Sequence, residues 1–141
     1  MLISLNWLKD FVSIPEKTDP NLSILLAEDN LFNRKLIQGL FKRLGHEIDL
    51  AENGIQAVNM AGAKDYDIVF MDLLMPEMDG IQAVTEIRKK GFKAPIIALT
   101  AVEDDEARSA AMEAGFNDYL IKPASEESLR KILLQNQPNS V

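Results

Sequence analysis

The 141 residues contain no cysteine and a single histidine, His46. The first absence excludes disulfides, thiolate metal sites and cysteine nucleophiles. The second excludes a metal centre built from several imidazoles. His46 stands in Leu44-Gly45-His46-Glu47, just after a helical pattern, and reads as a polar residue beside a helix C-terminus. No stretch of about 18 consecutive apolar residues occurs, so no transmembrane helix is expected. The N-terminus lacks a basic region and a small-residue cleavage site, so no secretory signal is expected and the protein reads as cytosolic. Basic charge is scarce: 15 Lys and Arg stand against 22 Asp and Glu, for a net charge of −7. That balance argues against direct binding of nucleic acid through a basic surface. Neither an internal repeat nor a low-complexity tract is present. What remains is a chain with 47% apolar and 26% charged residues, long enough for one soluble domain with a sizeable core.

Residues 1–21 stand apart from the rest. Leu5, Leu8 and Val12 fall on one helical face with Trp7 and Phe11 beside it, and Pro15 ends the pattern. Residues 16–21 are polar and read as a linker. The short N-terminal helix is expected to dock on the domain, to pair with a second copy in a homodimer, or to be the stub of a lost upstream region; docking or pairing is favoured over free solvation, because its apolar face would otherwise be a sticky patch. From residue 22 to about 137 strand and helix patterns alternate five times, leaving 138–141 as a tail.

The strands are read at 22–27, 47–50, 68–72, 96–99 and 118–121. The first helix carries Leu36, Ile37, Leu40, Phe41 and Leu44 at helical spacing and ends at Gly45. Asn53 and Ser125 are good N-caps for the second and fifth helices. The fourth helix, near 104–114, is alanine-rich and has one large apolar residue, Met112. Five βα units predict an α/β fold: a doubly wound parallel sheet with helices on both faces. The three fully apolar strands should lie centrally and the two weaker ones at the edges, which fits the flavodoxin-like order 2-1-3-4-5.

Chemistry in such sheets collects at the carboxyl ends of strands. Glu28 and Asp29 follow the first strand, Asp72 ends the third, Thr100 and the small Ala101 follow the fourth, and Lys122 follows the fifth. Taken singly, Asp72 also reads as a turn or cap residue, Lys122 as a surface ion pair and Thr100 as an ordinary strand end. Together they place three carboxylates, a hydroxyl and an ammonium on one rim. Crowded carboxylates repel, and one lysine does not neutralise three. A hard divalent cation with a preference for oxygen ligands, Mg²⁺ above all, would. With Mg²⁺ in place Asp72 can act as a carboxylate nucleophile toward phosphorus. Mg²⁺, Lys122, the Thr100 hydroxyl and the Ala101 N–H would then receive the phosphoryl oxygens.

Four ordered stretches carry a resemblance. Leu26-Ala27-Glu28-Asp29-Asn30, the Asp72 strand with Met75-Pro76-Glu77-Met78-Asp79-Gly80, Leu99-Thr100-Ala101, and Asp118-Tyr119-Leu120-Ile121-Lys122-Pro123 resemble the response-regulator receiver domain, across residues 22 to about 135. Gly45-His46-Glu47 through Ala51-Glu52-Asn53-Gly54 is similar to receivers attached to hybrid histidine kinases. The resemblance implies that Asp72 is the phosphoacceptor and that Glu28, Asp29, Asp72 and the backbone carbonyl of Leu74 bind Mg²⁺. It implies that Lys122 contacts the phosphoryl group, with a cis bond to Pro123, and that Thr100 and Tyr119 form a switch pair. Glu28 departs from the aspartate usual there by one methylene and is expected to act through a metal-bound water. The phosphoryl donor is expected to be a histidine kinase or a histidine phosphotransfer domain.

The implied output is a surface of the fourth helix, fifth strand and fifth helix, offered to a protein partner. No output domain, recognition helix or kinase ATP site is legible, so the chain is expected to be a stand-alone receiver or one part of a longer protein such as a hybrid kinase. It is expected to be no enzyme, beyond assisting its own phosphorylation and dephosphorylation. Three other readings compete. A metal-dependent phosphatase would want a second acid two residues after Asp72, where Leu74 stands. A flavodoxin-like cofactor binder would want a Ser/Thr/Gly-rich phosphate loop in place of Glu28-Asp29-Asn30. A receiver that serves only as an interaction module would not need the complete acceptor set.

Overall fold

The computed structural model describes residues 20–136. The expected N-terminal helix, its self-pairing and the tail lie outside the described residues. Five strands form one parallel sheet: β1 (Ile24–Ala27), β2 (Asp49–Ala51), β3 (Ile68–Asp72), β4 (Ile96–Thr100) and β5 (Asp118–Ile121), in the order β2-β1-β3-β4-β5. Helices α1 (Leu31–Arg43), α2 (Gly54–Ala63), α3 (Gly80–Lys89), α4 (Asp105–Ala114) and α5 (Glu126–Gln135) connect them. The expected order and the central place of the three apolar strands both hold. β1, β3 and β4 are buried along their whole length, whereas β2 and β5 at the edges are only partly so.

The pleat sends alternate side chains to opposite faces. Ile24, Leu26, Ile68, Phe70, Ile97 and Leu99 meet α1 and α5, through Ile37 and Phe41 and through Leu129 and Leu133. Large side chains fill this side, and the Phe41 and Phe70 rings meet edge-on with centroids 5.1 Å apart. Three helices crowd the other face, where the facing residues are small: Ala27, Ala51, Ala57, Ala61, Ala83, Ala98 and Ala111 among them. At the edge of that layer the Tyr66 hydroxyl donates to Asp49 Oδ2 at 2.7 Å. This bond first, and Lys64 after it, hold the Asp49 carboxyl below its usual range.

Local signals set the helix ends. Asn53 and Ser125 accept from the backbone N–H groups of Gln56 and Ser128, as expected of N-caps. Asp79 and Gln82 form a reciprocal capping box on α3. Gly45, at φ 93°, follows α1; its N–H reaches the Lys42 carbonyl and that of His46 the Phe41 carbonyl. That is the Schellman arrangement. His46 therefore sits beside the helix end as expected, and it is buried there.

One apolar expectation needs correction. Leu36 is 47% exposed, because the inward stripe of α1 runs through Arg34, Ile37 and Phe41 instead. Met112 also faces solvent, so Ala111 is the one buried residue of α4. A helix whose core contacts are the methyl groups of Ala111 and the half-buried Ala114 has little apolar area to lose when it shifts.

Candidate functional site

Parallel strands end on the same side, so the residues that close or follow β1, β3, β4 and β5 share a rim. Glu28 and Asp72 are buried there at 0% and 6% exposure, and Asp29 is exposed beside them. One carboxylate oxygen from each of the three lies within 4.8 Å of the others. The register that pairs Asp72 with Leu99 places Thr100 one residue further along the neighbouring strand.

Lys122 reaches into the cluster. Its Nζ lies 2.7 Å from Asp72 Oδ2 and 3.1 Å from Glu28 Oε2. Its backbone N–H donates to the Thr100 carbonyl at 2.7 Å, which ties the lysine to the end of β4. The Lys122–Pro123 bond is cis, as the resemblance implies.

One ammonium does not balance three acids. Burial first, and the nearby Asp72 second, push the Glu28 carboxyl up to about 7 against the opposing pull of Lys122. Burial works against the Lys122 ammonium, yet Asp72 and Glu28 outweigh it and its pKa rises. Glu28 Oε1 is buried without a hydrogen-bond partner. A buried carboxylate oxygen without a partner is costly unless something positive meets it. The donor set therefore fits a hard, oxygen-seeking divalent cation held by Glu28, Asp29 and Asp72. Leu74 lies against the same carboxylate: its N–H donates to Asp72 Oδ1 at 3.0 Å, while its side chain is 74% exposed.

Thr100 and Tyr119 are joined through one backbone unit that the sequence does not reveal. The Val102 N–H donates to the Thr100 hydroxyl at 3.1 Å, and the Tyr119 hydroxyl donates to the Val102 carbonyl. Tyr119 is buried, with the Arg108 guanidinium of α4 5.4 Å from its ring centroid. Ala101 borders a cleft with Leu36, Lys122 and Pro123.

Sequence reasoning also missed Arg34. The buried side chain of this residue donates from Nη1 to the carbonyls of Glu28 at 2.8 Å and Asp29 at 3.3 Å. A signal was present: residues 34, 37 and 41 share one helical face with the buried Ile37 and Phe41.

The family model of the response regulator receiver domain matches residues 24–134. The chain belongs to that family. It is 36% identical over 121 residues to the signal transduction histidine-protein kinase BarA of Escherichia coli K12, covering 84% of this chain and 13% of BarA. Among solved structures, it resembles the receiver domain of a sensor histidine kinase of Pseudomonas aeruginosa PAO1, described with a magnesium ion in its active-site cleft. That receiver is 40% identical, with a TM-score of 0.77, covering 82% of this chain and 96% of the other. The Saccharomyces cerevisiae receiver of Ssk1, solved with the histidine phosphotransfer protein Ypd1, is 31% identical with a TM-score of 0.77, over 86% and 92% of the two chains. The expected likeness to receivers of hybrid histidine kinases holds. This receiver spans about 15% or less of the first such kinases it matches. None of its described helices is long and apolar enough to cross a membrane.

Proposed function

We propose that this receiver is the phosphoacceptor of a two-component phosphorelay, taking a phosphoryl group from a phosphohistidine onto Asp72. The observation that carries the reading is the buried Asp72 carboxylate, bonded to Lys122 and grouped with Glu28 and Asp29 at the sheet's carboxyl edge. An Asp72 oxygen attacks phosphorus, the phosphorus–nitrogen bond breaks, and its electron pair returns to the donor imidazole. Glu28, Asp29, Asp72 and the Leu74 carbonyl would hold Mg²⁺, which would supply positive charge against the phosphoryl oxygens. Lys122 and the Ala101 N–H take the remaining oxygens. The domain is thus an acceptor that assists its own chemistry and not an enzyme on an outside substrate.

Leu31, Leu36 and the 75%-exposed Phe32 form an apolar surface on α1, and Leu36 also lines the cleft beside Lys122. Apolar surface next to a charged acceptor favours a protein donor over a small phosphate ester. A histidine kinase or a histidine phosphotransfer domain fits, and the partner-bound Ssk1 receiver supports the second. A cytoplasmic location accompanies this reading.

Incubation with acetyl phosphate and Mg²⁺ is expected to give a single phosphoryl adduct by intact mass. Asp72→Asn and omission of Mg²⁺ should each abolish it. If neither acetyl phosphate nor a purified phosphohistidine donor gave an adduct, the reading would fall to that of a phosphorylation-independent interaction module.

The bonds around Val102 support a switch. A phosphoryl oxygen that captures the Thr100 hydroxyl draws that side chain from the Val102 N–H. The Val102 carbonyl, which holds Tyr119, moves with it, and Tyr119 in turn carries Arg108 and the lightly anchored α4. Beryllofluoride with Mg²⁺ is expected to change amide exchange within 100–122; an unchanged pattern would remove the switch.

Leu74 and Val102, two residues past Asp72 and Thr100, carry side chains that cannot hydrogen-bond an attacking water. Both are exposed at the rim. Self-dephosphorylation is expected to be slow compared with receivers bearing polar residues there. A phosphoryl lifetime of only seconds would contradict this.

A further inference from the structure

The acid pair sits on a short turn between β1 and α1, and the carboxylates can meet Asp72 only if that turn is held. The Glu28 N–H is fixed by the Ala51 carbonyl of β2 at 3.0 Å. The carbonyls of Glu28 and Asp29 are fixed by Arg34, whose Nη1 lies 2.8 and 3.3 Å away. One guanidinium nitrogen thus ties both peptide groups that carry the acids. The second, Nη2, lies 3.5 Å from Glu52 Oε1 at the start of the β2–α2 turn. The peptide planes set where each Cα–Cβ bond points, so Arg34 governs the direction of both carboxylates. A surface role does not account for this cation, because it is buried. The partner Glu52 is 63% exposed, so that ion pair adds little. The two carbonyl bonds are the ones that matter.

We propose that Arg34 is a positioning residue for the metal-binding acids: its guanidinium clamps the β1–α1 turn and thereby sets the affinity of Glu28, Asp29 and Asp72 for a divalent cation. This rests on the reading of the cluster as a Mg²⁺ site. Groups that orient first-contact ligands typically change metal affinity by about 10–100-fold when removed. Guanidinium suits the task better than ammonium, because its fork reaches two carbonyls and Glu52 at once.

The test is calorimetric titration of the full chain with Mg²⁺, for wild type, Arg34→Gln, Arg34→Lys and Glu52→Gln, each checked for a cooperative thermal transition. Arg34→Gln is expected to weaken Mg²⁺ binding by about tenfold or more. Arg34→Lys should fall between it and wild type, and Glu52→Gln should stay close to wild type. A second readout separates positioning from general damage. In acetyl phosphate labelling, Arg34→Gln should need more Mg²⁺ for half-saturation yet reach the wild-type plateau. A folded Arg34→Gln with wild-type affinity overturns the proposal. If that variant does not fold, Arg34→Lys carries the test, and wild-type affinity there overturns it equally. A wild-type chain that bound no Mg²⁺ would sink the metal reading itself, and this proposal with it.

Discussion

Lys122→Ala is expected to destabilise the metal-free domain by about 3–5 kcal/mol at pH 8, the usual cost of removing one partner from a buried ion pair. The lysine is the only cation paired with the side-chain carboxylates of Asp72 and Glu28 among the described residues, and both acids are shielded from water. Protonation offers partial relief. Glu28 already titrates at about 7, and Lys122 is what holds it that low. Without the lysine its pKa climbs further. A carboxyl whose folded pKa lies above its unfolded value binds its proton more tightly in the folded state. Its protonated form therefore supports the fold at low pH, and that support is lost as pH rises through the folded pKa. The variant should lose less at pH 6 than at pH 8, with a steeper fall between them than wild type; Asp72, 2.7 Å from the lysine, keeps part of the loss at both. The raised pKa of Lys122 acts elsewhere: its contribution is present below its ordinary value of 10.5 and lost only as pH rises beyond it. Mg²⁺ should restore the variant, because a ligand at 100 times its dissociation constant adds about 2.7 kcal/mol. Urea unfolding at the two pH values, with and without Mg²⁺, measures all of this. Equal stability of variant and wild type at pH 8 would mean that the two acids are not held ionised by Lys122.

The sheet was legible because apolar runs of four or five residues have few uses other than buried parallel strands. Ile68–Met71 and Ile96–Leu99 lie where such runs must lie, and the more polar strands took the edges. The rim was legible for a topological reason: parallel strands deliver their ends to one side, so Glu28, Asp29, Asp72, Thr100 and Lys122 could be grouped without any side-chain geometry. What escaped was of another kind. The Val102 joint is made by a main-chain N–H and carbonyl, which every residue except proline has, so no side-chain pattern announces it. The placing of Arg108 over Tyr119 joins two elements across the fold, with no period to betray it. Arg34 was hidden by habit, since arginine at an inward helical position is normally taken as exposed. Leu36 shows the converse. Spacing tells which residues share a face, and the neighbouring helices decide how wide the buried stripe is.

Gly80→Ala is expected to damage stability and phosphoryl acceptance together, because Gly80 is where fold and site touch. A Cβ at this position would stand 2.5 Å from the Asp72 carbonyl oxygen, 2.8 Å from the Leu73 Cα and 3.2 Å from the Asp72 carbonyl carbon. All three are backbone atoms, so no flexible side chain can swing aside. α3 cannot retreat cheaply either. Ala83, Val84 and Ile87 are buried against the sheet, and the Gly80 N–H is bonded to the Leu73 carbonyl at 2.9 Å. Alanine is the better helix former by about 1 kcal/mol, but overpacking of this kind costs about 1–3 kcal/mol or more. Against rigid backbone the clash should win, with a net loss of about 2 kcal/mol and a melting temperature lower by about 10 °C. The strand end that must give way carries Asp72, the proposed acceptor. A displacement of about 1 Å at a reacting group can cost about a hundredfold in rate, so labelling by acetyl phosphate at saturating Mg²⁺ should slow by up to that factor. Gly62→Ala is the matched control. It lies in α2 with nothing within 4 Å of the added methyl, so helix propensity alone should act and the domain should gain up to about 1 kcal/mol. Opposite shifts of the two melting temperatures, with labelling impaired in Gly80→Ala alone, would place the constraint at the contact under Asp72. Parallel shifts would show that Gly80 does not press on the acceptor strand.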